Sequence, residues 1–279
     1  MSGEIGKRII HFDEIDSTNS YLKSNKELLQ QHGLVVRTDM QTAGRGRASR
    51  KFVSLPGKNL TFSVVLHPQK PAPEIQIYSL LASVVVARVI GNYVKSIRLK
   101  WPNDVIVGKK KICGILLETV NIPGQDFPIL IIGIGLNTMG SYKDYPDEIK
   151  NIVTTLEFEM LRNSDINSNI KLYPLKNDTI FNQLLCELEN CLKEFTDNKK
   201  IVGDKKEVDG RSALLKEWLD RSNALGRKVC SLCEVYGQEN SKGKIGTIEG
   251  LTTEGYLQIR TETGEILTHV SGDIIDLSG

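Results

Sequence analysis

Apolar positions first cluster in a short run, RIIHF at residues 8 to 12, and the polar stretch DEIDSTNS follows it. Asp16 or Ser17 can place an oxygen over the first turn of a helix, and the spacing predicts one from Thr18 to about Gln31, stopped by Gly33. LVVRTDM at 34 to 40 and LTFSVVLHP at 60 to 68 are rich in β-branched residues and read as strands. Between them lies a polar loop, residues 41 to 59. A loop of that length inside a packed domain is usually functional or mobile.

From Pro73 to Gly91 the chain is rich in alanine, leucine and valine with almost no polar face, which predicts a helix packed against a sheet. Residues 97 to 101 and 104 to 118 follow as strands of a meander turned at GKKK. FPILIIGIGLNT, at 127 to 138, is nearly all apolar and predicts a central strand ending in glycines and an asparagine. A helical region is expected near 146 to 160.

The pattern then weakens. RNSDINSNIKLYPLKND and DNKKIVGDKKEVDG are polar, flank an amphipathic helix at 179 to 196, and read as insertions or mobile loops over about 160 to 210. A last helix, RSALLKEWLDRS, leads into residues 225 to 279, which alternate apolar and polar with turns at KGK, TTEG and ETGE. That alternation predicts a small antiparallel barrel. The expected organisation is a large domain over 1 to 222 and a small one over 225 to 279.

The 279 residues suffice for a large core. Balanced charge, 36 basic against 34 acidic residues, excludes a general polyanion binder, so any basic site must be local. The cysteines, at 113, 186, 191, 230 and 233, are odd in number and fit reduced thiols. Cys230 and Cys233 form a C-x-x-C, but the surrounding VCSLCEV alternates like a strand and no second pair completes a zinc site. The amino terminus lacks the apolar region of a secretory signal and no stretch approaches the apolar length of a membrane span, so the expected compartment is cytoplasmic, with no membrane partner.

Residues 44 to 51, GRGRASRK, hold four cations in eight residues. The stretch lacks the third glycine and the following helix of a dinucleotide fingerprint, and no G-K-[ST] closes it as a Walker loop. RNA binding is a minor option, because only Phe52 supplies an aromatic nearby. Glycines permit close backbone approach to phosphate, and guanidinium groups bind it in a bidentate way. Downstream, KWPNDVIVGKKKICGILLE at 100 to 118 sets Asn103 and Asp104 at a strand end, with Lys111 on the next strand. Asp104 could hold Mg²⁺ and Lys111 could neutralise a transferring phosphoryl or carboxylate group. The bland alternatives are a turn aspartate, an edge-strand lysine and, for Trp101, a core residue.

Five motifs in order, D-S-T-N at 16 to 19, Q-T-A-G-R-G-R at 41 to 47, K-W-P-N-D at 100 to 104, K-x-C-G-I-L-L-E at 111 to 118 and G-I-G-L-N at 133 to 137, closely resemble the biotin protein ligases. The resemblance implies an α/β (α+β) fold of the class II synthetase and biotin ligase type, with a mixed, mainly antiparallel sheet and helices, followed by a small SH3-like barrel. It also implies a two-step reaction. Biotin and ATP form biotinyl-5′-adenylate with loss of pyrophosphate, and a lysine of a biotin carboxyl carrier domain then takes the biotinyl group.

By the same resemblance, Ser17, Thr18, Asn19 and Gln41 are expected on biotin, the ureido ring needing hydrogen-bond partners once buried. Gly44, Arg45, Gly46 and Arg47 correspond to a loop that folds over the adenylate and excludes water. Lys111 is expected on the biotin carboxylate and α-phosphate. Phe52, Trp101, Asn103, Asp104 and Asn137 are expected to serve ATP, Asp104 with Mg²⁺ as well. Gly114 and Gly133 would admit the ligand closely, with a bulge or tight strand crossing as the structural alternative.

Two departures from the family pattern stand out: Ser49 replaces the last glycine of a longer G-R-G-R-x-G-R run, and Phe52 stands where relatives often carry tryptophan. Only about seven residues precede the first strand, so no helix-turn-helix and no operator binding are expected. A monomer or weak homodimer is expected. Lipoate and octanoate ligases or transferases share the fold and are the nearest alternative, ahead of a non-catalytic ligand-binding protein.

Overall fold

The RIIHF run lengthens into strand β1 (Ile9–Ile15), and Ser17, in extended backbone, caps helix α1 (Thr18–Ser24) by accepting a hydrogen bond from the Ser20 amide. This is a computed structural model, and it describes residues 4–163, 175–196, 200–202, 206–232 and 243–277. The helix expected to reach Gln31 is two helices, because Asn25 leaves helical geometry and its side chain donates to the Tyr21 carbonyl at 2.7 Å. A short α2 (Lys26–Leu29) follows.

Strands β2 (Val35–Gln41) and β3 (Asn59–Leu66), helix α3 (Ile77–Ile90), strands β4 (Ile97–Lys100), β5 (Asp104–Val107), β6 (Lys110–Val120) and β7 (Ile129–Asn137), and helices α4 (Leu156–Asn163) and α5 (Asn177–Thr196) come next. The large sheet has seven strands in the order β1-β2-β3-β7-β6-β5-β4. Only β1 and β2 run parallel, across the α1–α2 connection; the other pairs are antiparallel. This is the mixed, mainly antiparallel sheet that the resemblance implies, and β7 lies at its centre. Helix begins only at Leu156 rather than near 146, because the backbone before it does other work: Val153 forms a bridge with Lys111.

Each face of the sheet has its own apolar layer. Leu22, Leu29, Leu34, Val36, Val65, Ile129 and Ile131 pack beneath α1 and α2. On the opposite face Phe62 meets Phe181 of α5 edge to face at 5.2 Å, and Arg88 of α3 pairs with Glu187 of α5 at 2.8 Å. With the turn before it, Ala72–Ile90 is long and apolar enough to cross a membrane, which amends the expectation that no stretch is. Every α3 residue except Arg88 is nevertheless buried against the protein, as expected of a core helix.

The chain divides into two compact units, Met1–Glu194 and Phe195–Gly279. In the second, a two-stranded ladder, β8 (Lys200–Val202) with β9 (Lys206–Val208), precedes α6 (Gly210–Ser222), capped by Asp209. A five-stranded antiparallel sheet follows, built from β10 (Lys228–Leu232), β11 (Lys244–Leu251), β12 (Leu257–Thr261), β13 (Ile266–His269) and β14 (Asp273–Asp276) in the order β13-β12-β11-β10-β14. A small SH3-like barrel is what the resemblance implies for the tail, and this small antiparallel sheet is consistent with it. Cys233, part of the KGK turn and most of the polar stretch before α5 lie outside the described residues.

Candidate functional site

Strand β3 is buried along its whole length although three of its alternate residues, Asn59, Thr61 and Ser63, are polar. Buried hydroxyls and amides must find partners. Ser63 finds two, placing its hydroxyl 2.6 Å from Thr18 Oγ1 and 2.5 Å from Asn19 Oδ1. Gln41, at the end of β2, accepts at its Oε1 from the Thr18 amide at 2.9 Å and the Thr18 hydroxyl at 3.2 Å. Ser17, Thr18, Asn19, Gln41 and Ser63 are therefore one buried polar group at the start of α1.

Antiparallel pairing carries this surface across the sheet. Ser63 lies opposite Gly133, and Thr61 lies opposite Gly135, which pairs with Gly114, which in turn pairs with Asp104. Glycine is needed on this row for space. A Cβ on Gly133 would stand 2.5 Å from Asn19 Oδ1, and one on Gly135 would stand 2.5 Å from the Phe52 ring. A Cβ on Gly114 would meet the Lys111 ammonium at 2.8 Å. The β3–β7 and β6–β7 registers run unbroken through these positions, so close approach rather than a bulge accounts for Gly133. The one irregularity nearby, between Val105 and Ile106, sits beside Lys111.

The cations line the other side of the same floor. Lys111 Nζ lies 2.6 Å from Asp104 Oδ1, both side chains being partly exposed. Its backbone is fixed too, since the amide donates to Ile152 and the carbonyl accepts from Thr154. Arg45 rises from the loop and pairs with Glu118 Oε2 at 2.7 Å. The loop folds back on itself through Gly46 to Arg50, Arg50 to Arg47 and Phe52 to Gly44 backbone hydrogen bonds. Ala48 and Ser49 turn it in the left-handed region, with φ of 49° and 58°. Gly44 has no room for a side chain, as a Cβ would meet the Phe52 carbonyl at 2.4 Å. The Arg47 guanidinium lies 6.0 Å from the Trp101 ring, and Trp101 is buried.

Two expected ligand residues are occupied by the protein itself. The Asn103 amide donates to the Ile115 carbonyl at 2.5 Å while its own carbonyl accepts from Ile115, tying the β4–β5 turn to β6. Asn137 accepts from Asn59 at 2.9 Å and donates to the Thr154 carbonyl at 3.1 Å. Asn59 also donates to the Tyr145 hydroxyl, whose pKa burial pushes up to about 12. Burial likewise raises the Cys113 thiol to about 12, which fits a core cysteine and not a nucleophile.

The sequence reading did not single out Ser63, Gly135, Asn59, Tyr145 or Glu118. The signal for Ser63 is the alternation N-x-T-x-S inside an otherwise apolar strand, which marks one face as polar. Glu118 closes a quoted motif but has no role readable from spacing.

Comparison with known proteins gives a consistent picture. The "Biotin/lipoate A/B protein ligase family" matches residues 11–137, and the "Biotin protein ligase C terminal domain" matches residues 240–275. A "Bifunctional ligase/repressor BirA" of Bacillus subtilis (strain 168) is 36% identical over 156 residues, 54% of this chain and 47% of that protein. The chain thus spans about half the length of that relative. A "Biotin--protein ligase" of Homo sapiens is 27% identical over 98% of this chain and 35% of its own. Among solved structures, the biotin protein ligase from Aquifex aeolicus in complex with biotin and ATP superposes with a TM-score of 0.72 at 26% identity, covering 98% of this chain and 100% of that one.

Proposed function

Because this chain belongs to the biotin/lipoate A/B protein ligase family, we propose that it is an ATP-dependent biotin protein ligase, forming biotinyl-5′-AMP and passing the biotinyl group to a lysine of a biotin carboxyl carrier domain. The observation that carries this reading is the single floor joining a buried hydrogen-bonding group, Thr18, Gln41 and Ser63, to two cations, Lys111 and Arg45, through a row of glycines. A neutral cyclic urea suits the first end. An acid meeting a phosphate suits the second.

In the first step a biotin carboxylate oxygen attacks the α-phosphorus and pyrophosphate leaves. Two anions must approach, so Lys111 at the carboxylate and α-phosphate, with Arg45 and Arg47 from the loop, lowers the barrier by charge. Phe52, resting on Gly135, covers the ligand from the loop side. In the second step an uncharged lysine amine attacks the acyl carbon and AMP leaves. A folded loop protects the mixed anhydride from water until then.

Magnesium is held by few protein oxygens when phosphates supply the rest. Asp104, a partly exposed carboxylate already beside a cation, fits that modest share. The ion would neutralise phosphate charge. The free, buried thiol of Cys113 supports a reducing, cytoplasmic setting, and a monomer or weak homodimer remains the proposed state. Incubation with Mg-ATP, biotin and a recombinant carrier domain, read by intact mass, tests the proposal. It predicts one biotinyl addition to a lysine that requires all three; no addition, or lipoyl or octanoyl addition when lipoate or octanoate replaces biotin in a parallel incubation, would overturn the substrate.

A further inference from the structure

Among the described residues, Glu118 is the one carboxylate that touches both ends of the site. Its Oε2 accepts from Asn19 Nδ2 of the buried polar group at 2.9 Å and from Arg45 of the loop at 2.7 Å, while its Oε1 accepts from Lys23 of α1 at 3.0 Å. Asn19 is in turn held by the Ser63 hydroxyl. The carboxylate side chain is only 16% exposed, whereas Arg45 is 41% exposed, so the acid is the fixed partner and the arginine the movable one.

We propose that Glu118 is a positioning residue that latches the glycine–arginine loop to the ring end of the site through Arg45, so that occupation of the buried polar group is felt by the loop. A ligand contacting Asn19 shares a hydrogen-bond partner with Arg45, one oxygen away. The carboxylate also keeps two cations, Lys23 and Arg45, from repelling each other across the trough. When an anionic ligand arrives, the guanidinium has further N–H donors with which to take it, the fork geometry allowing both anions at once.

The first part of this inference concerns the ligand-free chain; the second rests on the proposed ligase reaction. Trypsin cuts after Arg45, Arg47 and Arg50, so its rate on the loop reports the latch directly. Glu118→Gln keeps the shape but loses the charge, and loop cleavage without ligand should quicken about five- to tenfold, the effect of losing a charge-assisted contact. Bound adenylate should leak into solution faster by a similar factor while Lys111-dependent pyrophosphate release changes less. Should Glu118→Gln fail to fold, Arg45→Gln breaks the pair from the other side, read by cleavage after Arg47 and Arg50. Loop cleavage equal to wild type in the folded variant would overturn the latch. If wild-type protein forms no adenylate, the ligase reading fails, and the proteolysis still decides the latch.

Discussion

The two ends of the trough are built on opposite terms. At the ring end, Ser17, Thr18, Asn19, Gln41 and Ser63 are all buried, and Thr18, Asn19, Gln41 and Ser63 are hydrogen-bonded to one another across α1, β2 and β3. At the cation end, Lys111 and Arg45 are roughly two-fifths exposed and each is matched by an internal carboxylate, Asp104 or Glu118. The first end is organised before any ligand arrives. The second holds each cation against a carboxylate, and under the proposed reaction this difference suits the first to recognition and the second to chemistry.

The largest effect should come from breaking the cation end. Lys111→Ala should lower pyrophosphate release by about 10²- to 10³-fold, the cost of removing a charge aimed at a transition state, with the melting transition retained. Its substrate half-saturation should move much less, which separates chemistry from recognition. Gly133→Ala attacks the ring end and should do the reverse. The new Cβ displaces Asn19, costing about 1–3 kcal/mol by overpacking, so biotin half-saturation should rise by roughly 10-fold or more with a smaller change in turnover.

A third prediction concerns acid. Burial works against the charged form of Glu118, yet hydrogen bonds from Asn19 and Lys23 and the charges of Arg45 and Lys23 outweigh it and hold its pKa below the ordinary 4.5. A depressed carboxylate stabilises the folded state above its unfolded pKa, and that contribution disappears as pH falls through the folded value. The melting-temperature gap between wild type and Glu118→Gln should therefore be widest near neutral pH and shrink below about 4.5. A gap independent of pH would argue against the ion pairs.

The smallest effect belongs to the loop backbone. Ser49 takes a φ of 58°, and Ala48 beside it takes 49°. Left-handed non-glycine residues cost on the order of 1 kcal/mol each. Ser49→Gly should relieve that strain at the cost of unfolded-state entropy, shifting the melting temperature by only a degree or two in either direction, and it should leave ring-end affinity unchanged by calorimetry.

Much of this was legible in the chain. Richness in β-branched residues marked β2 and β3, alternation marked the strands of the tail, and the nearly all-apolar run of β7 correctly pointed to the sheet centre. The break at Asn25 was hidden because an amphipathic pattern continues through it, while the kink depends on one side-chain hydrogen bond to Tyr21. The late start of α4 was hidden because Val153 answers to Lys111, forty-two positions earlier. Motifs located Lys111, Arg45 and Gln41, but their partners Asp104 and Glu118 became partners only through strand register and loop folding. Asn103 and Asn137 look like ligand residues by type, and the fold adds what the sequence does not show, that their amides bond to Ile115, Asn59 and Thr154.

The division of labour is tested most directly by acid-dependent pyrophosphate release in a single turnover, with Mg-ATP and no acceptor, comparing biotin, lipoate and octanoate. Release with biotin alone, retained in Gly133→Ala at saturating biotin and slowed by about 10²- to 10³-fold in Lys111→Ala, is the predicted result. Equal release with all three acids, or full release from Lys111→Ala, would contradict it.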